Sequence, residues 1–112
     1  MINFKSSRSF EREFDRLRKK YRSLTQDIKE LRTSLSQNPL QGADLGNGLR
    51  KVRMAIRSKG KGKSGGARII THVDAITADI NGTLMFLYIY DKSERSTISD
   101  KELEALRVAA GL

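Results

Sequence analysis

The sequence predicts an α+β fold: an N-terminal strand and a helical hairpin packed on a twisted antiparallel sheet, closed by a C-terminal helix. Three observations carry this. Phe10, Phe14, Leu17, Tyr21, Leu24, Ile28, Leu31 and Leu35 recur at alternating steps of four and three, one apolar stripe of an amphipathic helix. Further on, alternating and β-branched segments flank a glycine-rich loop and an Asn81-Gly82 pair. Last, Ser99-Asp100-Lys101-Glu102 is a capping box ahead of Leu103 and Leu106, with Gly111 as the stop.

Taken in order, Ile2-Asn3-Phe4 alternates and reads as an edge strand. The apolar stripe fits one long helix, even a coiled-coil seam. Ser23 with Gln26 three residues on reads as a capping box, and Asp27 adds an acid to the first turn. The spacing therefore predicts two helices, over 9–21 and 24–36, folding back to bury the stripe inside one domain. Asn38-Pro39 ends the second helix. Residues 41–48 hold three glycines and read as a loop. Val52-Arg53-Met54-Ala55-Ile56 alternates and predicts a strand near 50–57. Arg68-Ile69-Ile70-Thr71-His72-Val73 opens a strand near 67–79. Asn81-Gly82 signals a two-residue hairpin turn. The return strand, 84–90, is apolar at consecutive positions, so it belongs in the centre, covered on both faces. Residues 91–97 are polar and read as a loop before the last helix, which runs to about Ala110. No repeat and no linker divides the chain, so residues 1–112 read as a single domain.

Composition narrows the function. The chain has 112 residues, with 22 Lys and Arg against 13 Asp and Glu, a net charge of +9. Such an excess points to a polyanionic partner, nucleic acid or an acidic protein. No apolar run is long enough to span a membrane, and no signal-like segment opens the chain, so a cytoplasmic location is expected. Cysteine is absent and His72 is the single histidine, which leaves no disulfide framework, no thiolate chemistry and no structural zinc set. No cofactor is expected.

The most informative stretch runs from Arg57 to Ile70. It sets Lys59, Lys61, Lys63 and Arg68 among four glycines, between two strands. Glycine lets a backbone approach a polyanion closely, and the cations attract phosphate. A solvated hairpin tip is the plain alternative. Gly62-Lys63-Ser64 is not a P-loop, because Arg57 stands where the pattern needs a glycine and a strand follows where it needs a helix.

Several segments together resemble the RelE/ParE superfamily of type II toxins, nearest the RelE and HigB-like branch. They are Asn38-Pro39 with its glycine loop, Leu49 to Ile56, Gly62-Lys63-Ser64-Gly65-Gly66-Ala67-Arg68-Ile69-Ile70, Leu87 to Glu94, and Leu103-Glu104-Ala105-Leu106. The resemblance covers nearly the whole chain. It implies a toxin held inactive by a cognate antitoxin. RelE-like members are metal-independent endoribonucleases that cut mRNA, commonly on the ribosome; ParE-like members share the fold and poison DNA gyrase. By resemblance Arg68 matches the family's first catalytic arginine. The second falls on Ser93, beside Lys92, and the family tyrosine on Ser99. The sheet lysines have Arg53, Lys61 and Lys63 as nearest counterparts.

RNA cleavage through the adjacent 2′-hydroxyl needs a base, cations on the developing phosphorane and an acid at the leaving oxygen. Arg68 can clamp two phosphate oxygens with its planar fork. Lys61, Lys63 and Lys92 are point charges, and a lysine among other cations can act as base or acid. A two-residue turn at Asn81-Gly82 sets His72 opposite Asp91 on the Arg68 face, either a catalytic pair or a structural cross-strand contact. The catalytic candidates are thus Arg68, Lys92, Lys63, Lys61, His72 and Asp91. The RNA-binding candidates are Arg53, Arg57, Lys59, Lys61, Lys63 and Tyr90, the last able to stack a base if exposed. The expected partners are an antitoxin, mRNA and the ribosome. The rival readings are a non-enzymatic gyrase inhibitor and an RNA-binding module without chemistry.

Overall fold

The computed structural model describes residues 1–74 and 82–112. The chain runs β1 (Ile2–Ser6), α1 (Arg8–Lys20), α2 (Leu24–Gln37), β2 (Ala43–Gly46), β3 (Leu49–Met54), a single 3₁₀ turn (Arg57–Lys59), β4 (Ala67–Asp74), β5 (Gly82–Asp91) and α3 (Asp100–Ala109). The strands form one sheet in the order β1-β5-β4-β3-β2. This is the expected α+β architecture, with two refinements. The sheet is mixed, because β1 runs parallel to β5 while the other neighbours are antiparallel. And β2, four residues long, lies inside the segment expected to be loop: Ala43, Asp44 and Gly46 pair with β3, with a shift between Asp44 and Gly46. A strand so short and glycine-flanked leaves no periodic signal.

The helical break falls where expected, but its cause differs. Ser23 has helical dihedrals and its side chain caps nothing. A cap needs extended dihedrals to turn its oxygen onto the third helical N–H. Instead the Ser23 hydroxyl donates to Asp27 Oδ2 at 2.7 Å and accepts from the Ser58 N–H at 2.9 Å. The true start cap is on α1, where Ser7 Oγ accepts from the Phe10 N–H at 3.1 Å and donates to the Leu87 carbonyl at 2.7 Å. The capping box at Ser99 forms as read, with Glu102 returning to the Ser99 N–H at 3.2 Å.

The stripe from Phe10 to Leu35 packs on one sheet face, against Val52, Met54, Ile69, Leu84, Phe86 and Ile89. The other face carries Leu49, Ile70, Leu87 and Tyr90 beneath Ile98, Leu103 and Leu106. β5 is therefore covered on both sides, as its unbroken apolar run requires. A bulge breaks the β4–β5 ladder: Ile70 pairs with Tyr88, yet Thr71 pairs with Phe86. Leu87 is the extra residue, and it joins Tyr88 on the α3 side.

This register overturns the expected His72–Asp91 pair. His72 lies opposite Met85, and Asp91 opposite Ala67. The last described pair is Asp74 with Thr83, whereas a ladder closing on a two-residue turn sets Asp74 against Ile89. The proposed Asn81-Gly82 turn and the far end of the 67–79 strand fall on 75–81, outside the described residues. β3 also stops at Met54 rather than near 57, as the chain turns into the 3₁₀ segment. Among the described residues no helix is long and apolar enough to cross a membrane.

Candidate functional site

The site grows from the end of β3. β2 pairs with β3 only up to Lys51, so the outer edge of β3 from Val52 onward has no strand beside it among the described pairs. Gly42 passes over this edge with a positive φ; a Cβ there would lie 2.5 Å from the Lys51 carbonyl oxygen. Alternation puts Lys51 and Arg53 on one face of the sheet. Arg53 pairs with Arg68 on β4, and Arg68 with Tyr90 on β5.

The loop after the 3₁₀ turn folds back to bring Lys63 beside them. A cleft of about 300 Å³ results, lined by Gln41, Gly42, Lys51, Arg53, Lys63 and Arg68 together with Ala43 and Val52. None of its four cations has an acidic partner within 4.0 Å among the described residues. Four uncompensated cations around one hollow repel one another and favour an anion between them.

Arg68 is fixed. It is 8% exposed. Its Nη1 donates to the carbonyls of Lys63 (3.0 Å) and Ala67 (3.2 Å), and its Nη2 to that of Ser64 (3.4 Å). Arginine has five N–H groups, so two remain without a partner among the described residues. The side chain thus staples the loop to β4 and keeps donors for a ligand. Gly66 makes the staple possible: a Cβ there would sit 2.1 Å from the Met54 carbonyl oxygen. The Gly66 carbonyl in turn accepts from the Lys92 N–H at 3.0 Å.

A second charged cluster lies on the opposite face. Asp91 is fully buried. Lys59 Nζ donates to it at 2.8 Å, the Ser93 N–H at 2.9 Å and the Ser93 hydroxyl at 2.7 Å, and the Tyr21 hydroxyl also donates. Burial pushes the Asp91 carboxyl up, but the Lys59 ammonium, the Tyr21 hydroxyl and Ser93 outweigh it and hold it well below the carboxylate range. Lys20 stands 3.7 Å away, and the same lysine joins Arg16 around Glu94.

The predicted residues therefore divide. Arg53, Lys63 and Arg68 come together in the cleft. Lys61, Lys92, His72 and Asp91 do not line it. Lys61 is exposed on the loop. Lys92 Nζ donates to the Ser96 carbonyl at 2.6 Å. His72 is four residues along β4 from Arg68, about 13 Å on strand geometry. Burial sets two RNA-binding candidates apart. The Lys59 side chain is only 8% exposed and bound to Asp91, so it is no free loop cation. Tyr90 is 3% exposed, with the Arg95 guanidinium 5.5 Å from its ring centre, so the exposure that base stacking needs is not present here. Burial pushes the Tyr90 hydroxyl pKa up, against the opposing pull of Arg68 and Arg95. Arg57 is exposed and paired with Glu30 at 2.8 Å.

Sequence reasoning missed Lys51 as a site residue, although its spacing from Arg53 on a strand sets both on one face. It also missed Gln41, for which no local signal exists. Among the described residues no group of three or more His, Cys, Asp or Glu could hold a metal ion.

The model of the family described as the RelE toxin of the RelE/RelB toxin–antitoxin system matches residues 4–112. No curated protein matches the chain.

Proposed function

The chain belongs to the RelE toxin family, the toxin half of a toxin–antitoxin pair, and on that premise we propose that it is a metal-independent endoribonuclease that cuts mRNA on the ribosome and stops translation. The supporting observation is the cleft in which Lys51, Arg53, Lys63 and Arg68 meet without an acidic partner. A scissile phosphate seated there meets two guanidinium forks and two ammonium groups. The forks hold its oxygens as negative charge builds on the phosphorane. Because Arg68 is already held by loop carbonyls, little reorganisation is needed in the transition state. Lys51 and Lys63 are the cleft's candidates for the acid at the leaving oxygen and the base at the 2′-hydroxyl. The partners are an antitoxin, which follows from the family, and ribosome-bound mRNA; the setting is the cytoplasm.

One observation favours the gyrase-inhibitor reading. The residues at the family's second arginine and tyrosine positions have structural work here: Ser93 bonds Asp91 and Ser99 caps α3. One experiment separates the two. Purified chain is given ribosome-bound mRNA in one reaction and gyrase with relaxed plasmid in another. Cleavage of the mRNA, lost in Arg68→Ala, supports the nuclease. Inhibition of supercoiling with intact mRNA replaces it with the gyrase reading.

A further inference from the structure

Beyond the free edge of β3, on the side of α2, lies a second cleft of about 210 Å³. It shares Gln41, Arg53 and Lys63 with the cationic cleft, so the two meet at those side chains. Its walls differ in charge. Asp27 and Glu30, one turn apart on α2, line it from one side, with Arg57 paired to Glu30 Oε2 at 2.8 Å, and Arg53 and Lys63 line it from the other. Asp27 is 3% exposed. Its Oδ2 accepts from the Ser23 hydroxyl at 2.7 Å and the Arg57 N–H at 3.3 Å. Its Oδ1 is buried and has no hydrogen-bond partner. An acceptor oxygen left bare in a buried place is costly, and the cost vanishes when something brings it an N–H. Nothing in the hairpin's packing uses Oδ1.

We propose that this cleft is a base subsite of the RNA site, and that the base it takes is guanine. The proposal rests on the cationic cleft holding RNA phosphate. Guanine offers two adjacent donors, N1–H and the 2-amino group, with the O6 acceptor beside them. The donors meet Asp27 Oδ1 and the Glu30 Oε1 that the Arg57 pair leaves over, while O6, on the same edge, is within the reach of the long Arg53 and Lys63 side chains. Leu31 and Met54 supply apolar surface for the ring. The other three bases fit worse for a stated reason. Adenine and cytosine carry one amino donor next to a bare ring-nitrogen acceptor, and uracil flanks its single N–H with two carbonyl oxygens. Each sets at least one lone pair against a carboxylate, which is repulsive. Reading an unpaired base by its Watson–Crick edge is the common route to sequence preference in single-stranded RNA.

The test uses short 2′-O-methyl oligoribonucleotides, which the proposed chemistry cannot cleave, and measures binding by fluorescence anisotropy. Each is oligouridine with one central guanine, inosine or adenine. Guanine should bind on the order of tenfold more tightly than adenine, with inosine, which lacks the 2-amino group, between them. Glu30→Gln and Asp27→Asn should erase that difference, so that guanine, inosine and adenine bind alike. Glu30 is exposed, so Glu30→Gln carries the test even if Asp27→Asn fails to fold. Equal, salt-sensitive binding of all three oligonucleotides by the unmodified protein overturns the subsite and leaves the phosphate cleft standing. Binding of none of them overturns both.

Discussion

Lys59 and Lys63 are four residues apart on one basic loop, yet they end in opposite circumstances. Lys59 enters the protein and meets Asp91, Tyr21 and Ser93 on the side of the helical hairpin. Lys63 stays at the cleft mouth, among Lys51, Arg53 and Arg68, with no carboxylate within 4.0 Å among the described residues. The first cluster is electrostatically closed: one buried carboxylate, one buried ammonium and hydroxyls to complete the bonding. It ties the end of α1, the 3₁₀ turn and the end of β5 together. The second is open, and its charge is available to a ligand. The same residue type thus holds the fold in one place and offers binding in another, and the presence of a buried acid is what divides the two.

The comparison can be broken at several points. Removing Asp91 should have the largest effect on stability. Asp91→Ala leaves the Lys59 ammonium buried and unpaired, a change that costs about 3–5 kcal/mol. Urea unfolding should show it as a lowered midpoint, and a loss below about 1 kcal/mol would mean that the closed cluster holds nothing together. The same carboxyl gives a pH signature. Its pKa is lowered on folding, so its contribution is complete above the unfolded value of about 3.9 and fades as pH falls below that. Asp91→Asn should flatten the acid limb of the stability curve and leave the neutral-to-alkaline limb its shape.

Next in size is Arg68→Ala, read on activity. It removes a preorganised donor from the open cluster, so cleavage of ribosome-bound mRNA should fall roughly 10²–10³-fold. Arg68→Lys should recover part of this, because the charge returns without the fork. Near-normal cleavage by Arg68→Ala would mean that the fixed guanidinium only staples the loop. Gly66→Ala should come third. Its Cβ collides with the Met54 carbonyl, and the strain should cost about 1–3 kcal/mol while displacing Arg68. Thermal melting and the cleavage assay should therefore both respond. The smallest effect belongs to Lys61→Ala. This lysine lies in neither cluster, so cleavage should change less than about twofold, as surface substitutions do. A large loss there would show that the loop closes further when RNA binds.

Much of this fold was legible along the chain. The α1–α2 stripe, the two-faced apolar run of β5 and the Ser99 capping box are local patterns whose period or spacing forces one burial geometry. The site was legible in part. Arg53, Lys63 and Arg68 carry a sequence signal and converge in the cleft. Lys51, two residues from Arg53, shares its face only because β3 forms. Turn propensity alone sets Asp91 opposite His72, because neither the one-residue bulge at Leu87 nor the strand register is encoded in it.

By itself, then, the sequence determined the α+β class, the hairpin, the overall positive charge and the resemblance to a toxin family, because hydrophobic period, capping residues and charge are properties of neighbours in the chain. The tertiary structure decided which cations are paired. Lys59 looks like Lys63 in sequence, with glycine on at least one side of each along the same basic loop. What separates them is Asp91, 32 residues from Lys59, and only the packing of β5 against the hairpin brings that carboxylate within 2.8 Å of one ammonium and leaves the other free for an anion.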